Sequence, residues 1–397
     1  MAVKVLRIIN RFNLGGITYN VAYLSKFLSD KYETLLIGGA EEEGEESSLH
    51  ITDKLGLKPI IFEELQRSIG FKNDYAAYKR IKQIIKEYKP DIVHTHASKA
   101  GAVGRLAAIH CKVPIIVHTF HGHVFHSYFG KAKTEFYKNI ERYLAKKTDA
   151  IIAISDIQKK ELTEKFKVCA PQQTHVINLG FDLERFTLDI ERKRKEFRTK
   201  YNLQDGELAI GIIGRLAPVK NHELFIDAIE NISKNSDKKI RAFIIGDGET
   251  REQLENYLFA KKLPFTSEPS VSKLFCFTSW IKDVDWALAG LDLVALSSKN
   301  EGTPVSLIEA QAAGKFIVAT NVGGTADILH KDCGFLCDQK KPEEFINQLL
   351  NAVTNFETLS SKAKNGQEQV LQKFSYKRLA NDVERLYDTL LKNKKMM

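Results

Sequence analysis

The sequence predicts an α/β protein of two doubly wound domains, and three observations carry that prediction. The chain has 397 residues, more than one hydrophobic core usually serves. Short β-rich runs alternate with helix-length intervals from end to end, the pattern of parallel sheets covered by helices on both faces. The rhythm breaks once, at the charge-dense and poorly apolar stretch TLDIERKRKEFRTKYNLQDGE (187–207), which reads as an interdomain connection.

In the first half the strand-like runs are VKVLRII (3–9), ETLLIG (33–38), PIIF (59–62), DIVHTH (91–96), PIIVHTF (114–120), AIIAIS (150–155) and HVINL (175–179). EEEGEE (41–46) reads as a solvated loop after the second of them. The second half restarts with ELAIGIIG (207–214), RAFIIGDG (241–248), LFCFTSW (274–280), LDLVALSS (291–298), FIVATN (316–321) and GFLC (334–337). Residues 360–394 carry a helical pattern with a break at Lys373-Phe374-Ser375. The expected domains are 1–187, 188–373 and a final helix over 374–397, for which packing back on the first domain is one option.

Composition narrows the function classes. Hydrophobic residues at 43% and charged residues at 27% describe a soluble globular chain. The longest apolar runs are strand-sized, well short of the ~20 residues a bilayer span needs, and no leader pattern opens the sequence. Cytoplasmic residence is expected, with a peripheral position on the cytoplasmic membrane face as its variant. Cysteines 111, 169, 276, 333 and 337 have neither CxxC nor zinc-ligand spacing and read as reduced thiols. The net charge of +9 comes without a recognition-helix, RNP or zinc-finger pattern, so nucleic acid is not expected as a partner.

In open α/β sheets ligands sit beyond the carboxyl ends of the strands, and the unusual residue clusters fall there. Gly15-Gly16 follows the first strand in NRFNLGGITYN, His94 and His96 end the fourth, and His118 and His121 end the fifth. In the second half Gly214-Arg215, Gly246-Asp247-Gly248 and Glu301-Gly302 occupy equivalent places. Arg215 and Lys220 in GRLAPVKN are two permanent cations able to converge on a pyrophosphate. In NEGTPVSLIEAQAAG, Thr303 can cap a helix with Pro304 at its first position. The amides of Val305 and Ser306 would then face a phosphate at the positive end of the dipole. Glu309 leans back toward the same helix mouth as Glu301, and carboxylates there can accept hydrogen bonds from sugar and ribose hydroxyls. Asp283-Val284-Asp285 reads as a helix cap rather than a metal site, and the GDGE glycines are no dinucleotide fingerprint.

Taken together, EGTPVSLIE, the GRLAPVK loop, IIGDGE and NLGFDLERF (178–186) resemble, in order and over nearly the whole chain, the GT-B glycosyltransferases of family 4. The resemblance implies two Rossmann-like domains facing a central cleft. It implies a retaining transferase that uses a nucleotide-diphosphate sugar, the donor held by the C-terminal domain and the acceptor by the N-terminal one. Glu301 would meet the donor sugar's hydroxyls, Glu309 the ribose, Arg215 and Lys220 the pyrophosphate, and Gly15-Gly16 the phosphates on closure. His121 in VHTFHGH aligns with the family's functional histidine, and Gly214, Gly246, Ile281, Gly302, Thr303, Val305 and Ser306 complete the expected donor site. His94 and His96 are candidate acceptor contacts. Ser279 in FTSWIKDVDW departs from the family's glycine and puts the local backbone in question, beside Trp280 and Ile281 at the expected nucleobase; uridine is preferred. No cofactor and no metal are expected, since the nucleotide sugar is a substrate.

The expected acceptor is a lipid-linked or glycan precursor. An anionic membrane surface is a further candidate partner, because in the helix from Lys131 onward Phe136, Tyr137, Ile140, Tyr143 and Leu144 form an apolar face expected to pack on the sheet. Lys131, Lys138, Arg142 and Lys146 lie opposite, and Phe125, Tyr128 and Phe129 precede the helix as an aromatic loop. A nucleotide-sugar 2-epimerase of similar two-domain shape and a non-catalytic sugar-nucleotide-binding subunit are the rival readings.

Overall fold

The computed structural model describes residues 2–13, 16–42, 47–65, 70–122 and 131–395. They form two compact units, Met1–Phe181 with Phe374–Met397, and Asp182–Lys373. The first runs β1 (Val3–Arg11), α1 (Gly16–Phe27), β2 (Tyr32–Gly39), α2 (Leu49–Lys54), β3 (Ile60–Ile61), α3 (Phe71–Tyr88), β4 (Ile92–His96), α4 (Ser98–His110), β5 (Ile115–Phe120), α5 (Lys131–Ala145), β6 (Ala150–Ala153), α6 (Asp156–Lys160) and β7 (Thr174–Val176). The second runs α7 (Ile190–Lys200), β8 (Leu208–Ile213), α8 (His222–Asn235), β9 (Ile240–Ile245), α9 (Arg251–Ala260), β10 (Phe265–Thr266), β11 (Phe275–Ser279), α10 (Val284–Gly290), β12 (Leu293–Leu296), α11 (Val305–Ala312), β13 (Phe316–Thr320), α12 (Thr325–Ile328), β14 (Gly334–Cys337), α13 (Pro342–Thr354) and α14 (Phe356–Lys373). The chain then returns to the first unit as α15 (Tyr376–Lys395).

Each unit holds one seven-stranded sheet, ordered β3-β2-β1-β4-β5-β6-β7 and β10-β11-β9-β8-β12-β13-β14. The order reverses direction at β1/β4 in the first and at β8/β12 in the second. These are the switch points at which a crevice opens beyond the strand ends. Strands buried on both faces explain the unbroken aliphatic runs: in β1, Val5, Leu6, Ile8 and Ile9 are buried, and so is Arg7. One face of the first sheet is covered by α15, whose Leu379, Val383, Leu386 and Tyr387 share a cluster with Val5, Ile92, Ile115 and Val117. Their spacing of three to four residues lays them on one stripe of the helix.

Two expectations need correction. The charged stretch 187–207 contains a packed helix, α7, with Phe197 buried against Gly290, Phe243 and Trp286. Its charges have inward work: Arg194 and Arg198 reach the nearly buried Asp292 at 2.7 and 3.3 Å, and Asp292 also accepts from the Ala209 amide at 2.7 Å. In α5 the buried side is rotated from the expected apolar face. Arg105, fully buried on α4, draws Glu141 inward at 2.5 Å, and Leu144 and Ala145 follow it. Phe136 and Tyr143 are left 62% and 54% exposed, on an apolar groove with Ala102, Val103 and Leu106. Two of the expected outward cations, Lys138 and Arg142, share Glu135 at 3.1 and 2.6 Å. Phe125, Tyr128 and Phe129 lie outside the described residues.

Candidate active site

At the β8/β12 switch point the loops after the two strands meet. Lys220 Nζ donates to Glu301 Oε1 at 2.7 Å, and Ser298 Oγ donates to the same oxygen at 2.6 Å. The loops are tied together beneath this pair: Ser297 Oγ donates to the carbonyls of Lys220 and Asn221 at 3.0 and 2.9 Å, and the Lys299 amide to Val219 O at 2.7 Å. A third loop braces Glu301 from behind. Gly324 N donates to Gly302 O at 3.0 Å, and a Cβ on Gly323, at φ +53°, would stand 1.7 Å from Glu301 O. Only a glycine combines that backbone with that approach. Glu301 is therefore fixed through one oxygen, with Oε2 making no hydrogen bond to a described residue.

Helix α11 opens beside this loop, one residue later than expected. Pro304 is its N-cap, in extended conformation, and Thr303 makes no cap bond. Val305 and Ser306 are thus the first two helical residues, whose amides have no partner within a helix. One turn on, Glu309 meets Arg185 Nη2 at 3.4 Å, and burial pushes its carboxyl up to about 7 against the pull of Arg185, with Asp285 adding to the rise. Asp285 is held by Lys193 at 2.8 Å and Arg185 at 3.8 Å. It ties the start of α10 to α7 rather than capping, and Asp283 stands at the N-cap position without a side-chain cap bond.

The departure at Ser279 keeps a glycine-like backbone: its φ is +58°, its carbonyl accepts from Gly246 N at 3.0 Å, and its Oγ donates to Asp247 Oδ2 at 2.9 Å. Gly246 must be glycine there, since a Cβ would come within 2.0 Å of Gly214 O at φ +139°. Trp280 is exposed and Ile281 partly so. Arg215 is an exposed cation paired with Glu249 at 3.0 Å, a different carboxylate from the one that holds Lys220.

In the first unit Gly15 lies outside the described residues and Gly16 opens α1. His121, just past β5, bonds through Nε2 to His96 Nδ1 at 3.0 Å, and loss of solvent pushes its imidazole down to about 3. His94 and His96 are wholly buried and so are not acceptor contacts; they pack around Arg7 of β1. His118 is buried on Thr95 at 2.8 Å, while His123 and His126 lie outside the described residues. Sequence reasoning missed Arg7, Ser298, Gly323-Gly324 and Arg185. The available signals were a lone arginine within a run of buried aliphatics, a Gly pair two residues beyond β13, and the arginine of NLGFDLERF.

Among the described residues no helix is long and apolar enough to cross a membrane, and no three His, Cys, Asp or Glu side chains stand where they could hold a metal ion. Two seven-stranded parallel sheets, each in its own unit, are the architecture of the GT-B glycosyltransferases. The chain superimposes on Anabaena HepE, crystallised with UDP, with a TM-score of 0.78 at 19% identity over 98% of this chain and 100% of that one. Residues 14–185 match the family described as Glycosyltransferase Family 4, and 193–369 that described as Glycosyl transferases group 1. The UDP-Gal:alpha-D-GlcNAc-diphosphoundecaprenol alpha-1,3-galactosyltransferase of Escherichia coli is 30% identical over 351 residues, 87% of each chain. The capsular polysaccharide biosynthesis glycosyltransferase CapM of Staphylococcus aureus is 26% identical over 354 residues, 83% of this chain and 86% of that one. The chain belongs to the family 4 glycosyltransferases of the GT-B fold, enzymes that move a sugar from a nucleotide sugar to an acceptor.

Proposed function

We propose that the chain transfers a hexose or N-acetylhexosamine from a UDP-sugar to a hydroxyl of a lipid-linked glycan precursor, with retention at the anomeric carbon and without a metal ion. The observation that carries the reading is the Lys220–Glu301 pair beside the start of α11. In this reading Glu301 Oε2 accepts from a sugar hydroxyl and Glu309 from the ribose, while Lys220, Arg215 and the Val305 and Ser306 amides face the diphosphate. The bond from the anomeric carbon to the diphosphate oxygen breaks as the acceptor oxygen attacks from the same side, and the acceptor proton passes to that phosphate oxygen. Permanent cations and a helix start oppose the charge that develops on the leaving group, the work a metal does elsewhere.

The uridine donor and lipid-diphosphate acceptor are supported by the activity in the name of the E. coli relative. Docking on an anionic leaflet is supported by exposed Phe136 and Tyr143 at an apolar groove, with Lys146 and Lys147 exposed at the end of α5. The test is diphosphate release from UDP- and GDP-sugars, with and without a polyprenyl-diphosphate sugar, followed by NMR of the product anomer. Release that needs the acceptor and yields a retained anomer is expected. Conversion of the sugar nucleotide alone would establish the epimerase instead, and nucleotide binding with neither conversion nor transfer the non-catalytic subunit.

A further inference from the structure

We infer that Arg7 and His96 are positioning residues that fix the tautomer of His121, so that His121 carries its proton on Nδ1 and keeps Nε2 as an acceptor. The effect on transfer rests on His121 belonging to the reaction site, as proposed above; the tautomer itself does not.

Arg7 has no solvent exposure and forms no ion pair with a described carboxylate. A guanidinium only donates. The two hydrogens of its Nη1 face two ring nitrogens, His94 Nδ1 at 3.0 Å and His96 Nε2 at 3.3 Å, so both of those nitrogens accept. A neutral imidazole has one N–H, and in His96 it must therefore be on Nδ1. That nitrogen lies 3.0 Å from His121 Nε2. It donates, His121 Nε2 accepts, and the proton of His121 is left on Nδ1.

The other branch agrees. With Nδ1 of His94 accepting, its Nε2–H donates to Thr119 Oγ1 at 2.7 Å. Tyr387 Oη of α15 lies 2.7 Å from His94 Nδ1 and 3.5 Å from Arg7 Nη2, so it accepts from the arginine and donates to the histidine. Any other tautomer of His96 would set two N–H groups against each other in a site without water-facing surface. Protonation of either buried histidine would do the same, and burial together with the Arg7 charge holds both well below the usual imidazole range.

Two consequences follow. His121 has no free lone pair on Nε2 to serve as a base, and Nδ1 makes no hydrogen bond to a described residue. Its N–H is polarised through His96 by a full positive charge that stays buried, since bonds in such a chain strengthen one another. His121 thus offers a neutral but strengthened donor, suited to an oxygen of the donor sugar or of the leaving group.

The test is long-range ¹H–¹⁵N correlation on protein labelled at its histidines, with His121 assigned by the signal lost in His121→Gln. A neutral ring with Nδ1 protonated is expected; a proton on Nε2 overturns the assignment with no variant needed. His96→Ala should release the tautomer and lower kcat ~10–100-fold with little change in KM for the donor. His96→Asn, whose amide can donate in place of Nδ1–H, should recover most of the rate. A rate loss in His96→Ala with the His121 tautomer unchanged would also overturn the proposal. Full activity in His121→Ala would instead remove His121 from the reaction site while leaving the tautomer result standing.

Discussion

The two switch points solve the same problem with opposite materials. In the second unit the crevice is lined by cations on acidic groups, Lys220 on Glu301 and Arg185 on Glu309, whose carboxyl burial raises to about 7, all on partly exposed side chains. In the first unit the carboxyl end of the strands is backed by neutral imidazoles around one wholly buried guanidinium. Ion pairs between loops can exchange a protein partner for a ligand at modest cost, whereas a buried cation ringed by acceptors holds one arrangement. On the proposed function, the contrast separates a surface suited to binding and releasing a charged group from a scaffold suited to holding a donor still.

Substitutions at the second switch point should therefore change rate more than stability. Lys220→Ala is expected to lower turnover ~10²–10³-fold, the usual loss for one stabiliser of developing charge, with a melting temperature close to wild type; a large drop in melting temperature with unchanged kcat would break the comparison. Arg215→Ala should cost similarly in rate and nothing measurable in stability, because its pair with Glu249 is exposed. Near-normal turnover in both would take the cations out of the site.

Glu309→Gln sharpens the comparison from the side of stability. The folded carboxyl is raised from 4.5 to about 7, so the protonated form is the one the fold favours. The stability tied to it is full below pH 4.5 and lost as pH rises through about 7. Replacing it by a neutral amide should thus stabilise the protein by up to ~3 kcal/mol at about pH 8, a gain that falls away toward acid, while donor affinity drops. Denaturation at two pH values and calorimetry with UDP check both halves. The smallest effects concern what should not change: with His121 held down at about 3, kcat at saturating donor should show no imidazole ionisation between about pH 5 and about pH 8, the Glu309 ionisation at about 7 acting on donor affinity instead, and chelation should leave activity intact.

Strand runs were legible because burial on both faces writes Val and Ile into consecutive positions; β10, two residues long, has no room for such a pattern. The packing of helix α7 is not legible in the sequence, because its arginines read as an interdomain connection until Asp292 is seen beneath them. The Lys220–Glu301 pair could be found from motifs that lie at strand ends. Arg7 could not, since its meaning depends on the register that sets it opposite His94 across β1 and β4, a fact of pairing rather than of local sequence. Ser279 was flagged as a departure, and only backbone geometry reveals that the serine adopts the conformation a glycine would.

The placement of α15 has a consequence for how the chain is made. Val5, Ile92, Ile115 and Val117 are covered by a helix that emerges from the ribosome after the whole of the second unit. The first unit is thus completed only after the second, and its sheet must wait with an apolar face bare while the later unit is made as a continuous segment. Such an interval invites chaperone binding or aggregation. Tyr387 also arrives only then, so the hydrogen-bonded surroundings of His94 are completed only after the second unit has been translated.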